Sequence, residues 1–164
     1  MDTSNNAVRV GIADMKIVKA PQKIRTSSLG SCVGVVLYDE SIEIAGLVHV
    51  MLPDSNRGRL DSSNKAKFAD TGIYSLVELL KDKGVNPNSL KAKIAGGAQM
   101  FQFGSKDTIR IGPRNVEAVK TVLSQLSIPI IAEDTGGSRG RSIEFDPIST
   151  KLSIRTVKEG MKEI

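Results

Sequence analysis

The sequence predicts a single α/β domain of the α+β-like kind, a layered sandwich with two main helices on a largely antiparallel sheet. The chain has 164 residues, which is enough for one domain with a substantial core and short for two. Apolar residues make up 40% and charged residues 25%, the ordinary range of globular proteins. Segments rich in β-branched residues surround two segments with helical spacing. We expect the domain to span residues 8–157, between a flexible N-terminus at 1–7 and a polar C-terminal tail at 158–164.

The first third of the chain is predicted to form strands. Residues 8–18 are interpreted as one strand, and residues 21–31 as a short extended piece followed by a loop of small residues. The segments 32–38 and 42–52 are apolar and β-branched, and only the polar stretch 39–41 separates them. They are predicted to pair as a β-hairpin.

The remainder of the chain alternates helices and strands. Ser63 or Asn64 can cap a first helix that ends at Gly84, and Pro113 suits the first turn of a second helix over about 114–126. The apolar side chains expected to bury these helices are Phe68, Ile73, Leu76, Val77, Leu79, Leu80, Val116, Val119, Val122, Leu123 and Leu126. Further strands are predicted at 90–95, 128–132, 142–145 and 152–157, the last two as a hairpin around Asp146-Pro147.

Composition excludes several classes of function. The single cysteine and single histidine rule out an internal disulfide and a cluster of thiolate or imidazole ligands for a metal. The net charge of +5 favours an anionic partner. Nucleic-acid binding is not expected, because Trp is absent, aromatic residues are only 4% and the basic residues are scattered. No apolar run has the length of a membrane span or a signal segment, so we expect a cytoplasmic protein without membrane insertion.

The hairpin brings the only thiol near the only imidazole. A turn centred between Glu40 and Ser41 would place Cys32 directly opposite His49, with β-carbons about 4.5–5.5 Å apart. An imidazole at that distance can take the proton of a thiol and so generate the nucleophilic thiolate. On the same face, Gly34 and Ala45 would lie beside this pair and leave space above the thiol. The opposite face would be plain core, formed by Val33, Val35, Leu37, Ile44, Val48 and Val50.

Small residues precede the cysteine and complete this hypothesis. The N–H groups of Gly30, Ser31 and Cys32 are candidates for an oxyanion hole, because small residues let backbone donors converge on a carbonyl oxygen. Thr26 is near enough in sequence to orient the ring of His49. A structural interpretation also stands, because a lone cysteine in an apolar strand is commonly a small buried hydrophobe.

Two glycine pairs invite a phosphate-binding interpretation. Gly96-Gly97 and Gly136-Gly137 fit neither the P-loop nor the dinucleotide spacing, and we interpret them as turns at the rim of a cleft.

Five blocks of sequence resemble one known family. They are TSSLGSC at 26–32, HVMLPDS at 49–55, KIAGGAQMF at 93–101, IGPRNVEAVK at 111–120 and AEDTGGSRGRSIEF at 132–145. In this order and at this length they resemble the CheD chemoreceptor glutamine deamidases. The resemblance implies a layered α/β sandwich related to toxin-type glutamine deamidases.

The resemblance also implies an activity. CheD proteins are bacterial or archaeal chemotaxis enzymes that convert selected glutamines of methyl-accepting receptors to glutamates through a thioester. Carried over by position, Cys32 is the nucleophile, His49 the base and Thr26 the third member of the site. No metal or organic cofactor is implied. A further implied partner is CheC, a phosphatase of the response regulator.

Other functions remain open at the level of sequence. The chain could be a non-catalytic regulatory partner of CheC in which Cys32 is only structural. The same thioester chemistry could serve a receptor methylesterase, a cysteine protease or a transglutaminase-like acyl transferase.

Overall fold

The computed structural model describes residues 7–55, 64–100 and 110–164. Mixed α/β architecture, mostly sheet and in a single layered domain, confirms the predicted fold class. The described elements are β1 (Val8–Val10), β2 (Met15–Lys19), β3 (Ile24–Leu29), β4 (Val33–Asp39), β5 (Ile44–Val50), α1 (Ala69–Asp82), β6 (Lys91–Gly96), α2 (Ile111–Gln125), β7 (Ile130–Thr135), β8 (Arg141–Phe145), β9 (Leu152–Thr156) and β10 (Gly160–Glu163).

The strands form two five-stranded sheets rather than the one that the sequence indicates. An outer sheet has the order β1-β3-β8-β9-β10, and a central sheet has the order β2-β5-β4-β6-β7. Pairing is antiparallel except between β1 and β3 and between β6 and β7. One face of the central sheet packs on the outer sheet and the other on the two helices, so the domain has three layers.

The middle strands of the central sheet are covered on both faces. Every residue of β4 and β5 is buried, as expected for strands between two layers. The side chains predicted as plain core all lie in the cluster between this sheet and the helices, which confirms the predicted face: Val33, Val35, Leu37, Ile44, Val48 and Val50.

The single strand predicted over residues 8–18 is wrong. Strand β1 pairs with β3 in the outer sheet, whereas β2 pairs with β5 in the central sheet. The chain crosses between sheets at residues 11–14, where Ala13 adopts a left-handed φ of 57° that no regular strand tolerates. Strand β3 also occupies residues predicted as a loop.

The hairpin forms, but its predicted register is wrong by two residues. Asp39 pairs with Ile44, and the residue opposite His49 is therefore Gly34 and not Cys32. The turn is longer than the polar stretch 39–41 indicates. The carboxylate of Asp39 accepts hydrogen bonds from the N–H and hydroxyl of Ser41 at 2.9 and 2.6 Å, which stabilise this longer turn. A shift of two keeps every side chain on its predicted face.

The helices follow the predicted apolar positions with small differences. Gly84, at φ 91°, ends α1 as predicted, but Leu79 is 39% exposed and does not join the core. Asn64 precedes a short 3₁₀ turn at Lys65–Lys67 and not α1 itself, and Ser63 lies outside the described residues. Helix α2 begins at Ile111, earlier than predicted.

The C-terminal part of the chain contains both a confirmed and an unpredicted element. The hairpin of β8 and β9 turns around Asp146 as predicted, since its backbone carbonyl accepts from Thr150 and its carboxylate from Ile148. Strand β10 lies within the predicted polar tail and pairs with β9. In the part of the chain that the structure describes, no helix is long and apolar enough to cross a membrane.

Candidate active site

A buried polar pair links the two sheets at one end of the sandwich. Thr26 on β3 points inward from the outer sheet, and His49 on β5 points toward it from the central sheet. The Thr26 hydroxyl oxygen lies 2.8 Å from Nδ1 of His49. The two residues are only 2% and 0% exposed, respectively. The structure thus brings together two of the three predicted site residues.

The hydroxyl of Thr26 determines which ring nitrogen of His49 carries the proton. A hydroxyl has one proton to donate, and that of Thr26 is given to the carbonyl oxygen of Val10 at 2.7 Å. Its oxygen must therefore accept from Nδ1–H of His49. The other nitrogen, Nε2, is left with a free lone pair and has no hydrogen-bond partner among the described residues. The resting ring is oriented as a base.

Cys32 lies just before β4, on the same inter-sheet side as His49. Its side chain is half-buried and packs against the core between the sheets. With Gly34 opposite His49, Cys32 is a diagonal neighbour, for which Cα atoms are typically about 7–8 Å apart. No hydrogen bond joins the thiol to Nε2 in the described structure. The side chains of Ile143 and Leu29 pack against Gly34, where a β-carbon would meet them at 2.7 and 3.3 Å.

Burial makes both groups neutral in the free protein. It lowers the pKa of His49 from 6.5 to about 4, because the imidazolium would lose its hydration. Burial also raises the pKa of the Cys32 thiol above 9.0, and the backbone hydrogen bond at Cys32 opposes this only in part. At neutral pH the site therefore holds a thiol and a neutral base rather than a preformed ion pair.

The loop before Cys32 is held through its carbonyl groups. Successive carbonyl oxygens of Gly30, Ser31 and Cys32 accept from the N–H of Ala98, the side chain of Asn115 and the N–H of Gly97, all at 2.8–2.9 Å. The N–H of Gly30 is already used, since it donates to Ser28 at 3.1 Å. Within the described ranges, the N–H groups of Ser31 and Cys32 donate to no backbone carbonyl.

Strain and irregular pairing accompany this loop. Ser28 has a left-handed φ of 61°, and the pairing of β3 with β8 shifts between Thr26 and Leu29. Bulges of this kind redirect side chains and are common beside active sites. The bulge separates the inward-facing Thr26 from the loop that carries Cys32.

Sequence comparisons relate the whole chain to proteins of known family. Residues 51–156 match the family model described as CheD chemotactic sensory transduction. Proteins named chemoreceptor glutamine deamidase CheD are similar over nearly the whole chain. That of Bacillus licheniformis is 55% identical over 100% of this chain and 98% of its own length. The chain belongs to the CheD family.

Further CheD relatives have the same extent of similarity. The CheD of Halalkalibacterium halodurans is 58% identical over 98% of this chain and 99% of its own length. That of Bacillus subtilis is 56% identical over 96% of this chain and 95% of its own. The family model begins at residue 51, so Thr26, Cys32 and His49 lie before its match.

Two buried polar residues near the site of this CheD chain were missed from the sequence. Asn115 is fully buried on α2 and holds the loop before Cys32. Arg141 is 7% exposed and binds the carboxylate of Asp134 and the carbonyls of Gly96 and Gly136. A signal for Asn115 exists, because it shares helical spacing with the apolar Val119 and Val122.

Gly96, from the first glycine pair, and Gly112 allow close packing around the loop that carries Cys32. A β-carbon on Gly96 would lie 2.3 Å from the carbonyl oxygen of Cys32, and Gly96 has φ 115°. A β-carbon on Gly112, at the start of α2, would lie 2.2 Å from the carbonyl oxygen of Ala98. Glycine at these positions lets α2 and the end of β6 approach the loop that carries the thiol.

Proposed function

We propose that this protein is a cysteine-dependent hydrolase that deamidates glutamine side chains of methyl-accepting chemotaxis receptors. The observation that carries the proposal is the Thr26–His49 hydrogen bond, which leaves Nε2 unprotonated on the side of the sandwich where Cys32 lies. The substrate class comes from the names of the CheD relatives.

The first half of the reaction forms a thioester. Nε2 of His49 takes the proton of the Cys32 thiol as the sulfur attacks the side-chain amide carbon of the glutamine. The tetrahedral oxyanion is stabilised by the N–H groups of Ser31 and Cys32. Gly30, proposed from the sequence as a third donor, contributes less because its N–H is already bonded to Ser28. The C–N bond then breaks, and the imidazolium gives its proton to the leaving ammonia.

The second half of the reaction releases glutamate. Nε2 takes a proton from water while the water oxygen attacks the thioester carbon. The C–S bond breaks, and the imidazolium returns the proton to the thiolate. Thr26 takes part by accepting from Nδ1–H, which keeps Nε2 available and stabilises the positive charge that the ring carries between the two proton transfers.

Mass spectrometry of a receptor fragment tests the proposal. The fragment is incubated with the protein in ¹⁸O-labelled water, and each deamidated glutamine is expected to gain one ¹⁸O atom with release of one ammonia. Cys32→Ala should abolish this gain. Ser27→Ala is a matched control, since Ser27 neighbours Thr26 on β3 but is only half-buried, whereas Thr26 is buried.

The other functions left open by the sequence are outcomes of the same experiment. Release of methanol from a methylated receptor would indicate a methylesterase. Cleaved peptide bonds would indicate a protease, and incorporation of an added amine a transferase. An unmodified receptor, together with stimulation of CheC by both the wild type and Cys32→Ala, would indicate a regulatory partner without catalysis.

We also propose that the protein binds CheC and works in the cytoplasm. Support for both comes from the family resemblance, and the net charge of +5 is compatible with an acidic partner surface. Titration calorimetry with CheC from the same organism tests the binding. Competition by a receptor fragment would place CheC at the proposed site.

A further inference from the structure

We infer that Asn115 is a positioning residue that orients the oxyanion donor of Cys32 and fixes the loop of the nucleophile relative to the strand of the base. The inference rests on the proposed function, because it concerns the same site. Asn115 is 0% exposed on α2, and its side-chain nitrogen donates to the carbonyl oxygens of Ser31 and Met51, both at 2.9 Å.

The two acceptors fix the orientation of the amide. A side-chain amide nitrogen has two protons, and here each has one carbonyl acceptor. Turning the amide over would place its oxygen against two carbonyl oxygens, which only repel it. Asn115 therefore acts as a two-armed donor, and no residue type without two donors on one short side chain can replace it.

The first arm controls the direction of the Cys32 N–H. The carbonyl of Ser31 and the N–H of Cys32 belong to one planar trans peptide, so they point in opposite directions. A carbonyl held by Asn115 therefore keeps the N–H directed away from α2. The preceding peptide is held in the same manner, since the N–H of Ala98 donates to the carbonyl of Gly30. Loss of the Asn115 arm would free the Ser31–Cys32 peptide to rotate.

The second arm connects the same amide to the strand of the base. Met51 follows His49 by two residues and lies directly after β5. One buried side chain thus links the residue before the nucleophile to the residue after the strand that carries the imidazole. The side-chain oxygen of Asn115 has no hydrogen-bond partner among the described residues, so within them the side chain acts only as a donor.

Steady-state kinetics distinguish this role from simple core packing. Asn115→Ala is expected to lower kcat by about 10²–10³-fold, the usual effect of losing one oxyanion donor, with KM little changed. Val122→Ala is the matched control, because Val122 is buried on the same helix and is apolar. It should lose stability while its kcat stays near that of the wild type.

An isosteric variant gives a readout that packing alone would not. The carboxylate of Asn115→Asp offers no donor and repels both carbonyls, whereas its protonated form regains one arm. Its kcat relative to that of the wild type should therefore rise as the pH is lowered. This variant also serves if Asn115→Ala does not fold.

Amide NMR tests the positioning without any enzyme assay. In ¹H–¹⁵N spectra the Cys32 amide should give one signal in the wild type and in Val122→Ala, and a doubled or broadened signal in Asn115→Ala. A single unshifted signal, or a kcat loss no greater than that of Val122→Ala, would overturn the inference. Absence of wild-type deamidation would instead refute the proposed function, and the NMR arm would still decide the role of Asn115 in orienting the peptide.

Discussion

Acid should destabilise this protein through one identifiable group. The only histidine of the chain, His49, is fully buried, and burial lowers its pKa from 6.5 to about 4. Between these pH values His49 binds a proton in the unfolded chain but not in the folded chain. The stability due to the neutral ring is therefore complete above pH 6.5 and is lost as the pH falls toward 4.

The size of the effect follows from the pKa change. Each pKa unit corresponds to about 1.4 kcal/mol, so the lowering of the pKa from 6.5 to about 4 corresponds to about 3 kcal/mol. Domains of this kind are stable by only about 5–15 kcal/mol, so this loss is a substantial part of the total. Carboxylates titrate in the same range and need a control that retains them.

His49→Gln provides that control, because glutamine does not titrate and its amide can still donate to Thr26. Free energies of unfolding in urea are measured for both proteins at intervals from pH 7 to pH 4. The wild type should lose about 3 kcal/mol more than the variant. The single imidazole can also be followed by NMR, which should report the Nδ1–H tautomer at neutral pH. A ring that titrates near 6.5, or parallel pH curves for the two proteins, would refute the role given to burial.

Three further predictions concern the residues around the thiol. Thr26→Val should cost about 1–3 kcal/mol of stability and lower kcat, because it leaves the carbonyl of Val10 and Nδ1 of His49 unpaired in the core. Urea unfolding and deamidation assays measure the two effects, and Ser27→Ala should change neither. Iodoacetamide should alkylate native Cys32 more slowly than free cysteine at neutral pH, because burial raises the pKa of the thiol. A fast reaction at pH 7 would mean that the thiolate is preformed. Gly96→Ala should abolish activity and lower the free energy of unfolding more than Gly136→Ala does. Both glycines have positive φ, but only at Gly96 would a β-carbon meet backbone, 2.3 Å from the carbonyl oxygen of Cys32. Equal losses in the two variants would contradict this.

The sequence predicts faces better than registers. Alternation along β4 and β5 assigns the core side correctly, because side chains in a strand alternate with a period of two. The register depends on the turn, where hydrogen bonds from Ser41 to the carboxylate of Asp39 accompany a loop longer than the three polar residues 39–41 indicate. Local side-chain hydrogen bonds of this type do not change the periodicity of apolar residues in the sequence, so that pattern cannot predict them.

The separation of the strands into two sheets could not be predicted from the sequence for a similar reason. Residues 8–18 have the composition of one strand, and the break depends on Ala13 adopting a left-handed backbone that alanine seldom adopts. Cys32 and His49 could be proposed because the chain has one cysteine and one histidine. Thr26 was proposed because it lies near Cys32 in sequence and matches the family resemblance. Helical spacing indicates that Asn115 is buried but not what it binds, because only the folded structure brings its amide to the two carbonyls.

In the proposed mechanism, the Thr26–His49 hydrogen bond makes the chemistry conditional on tertiary assembly. Its donor and acceptor belong to different sheets, so a chain in which the outer sheet has detached loses the contact that holds the ring in the Nδ1–H tautomer. A nascent or partly opened molecule would then expose a thiol without a competent base. Receptor modification would be confined to fully folded molecules, and conditions that loosen the sandwich should silence the enzyme before its helices melt.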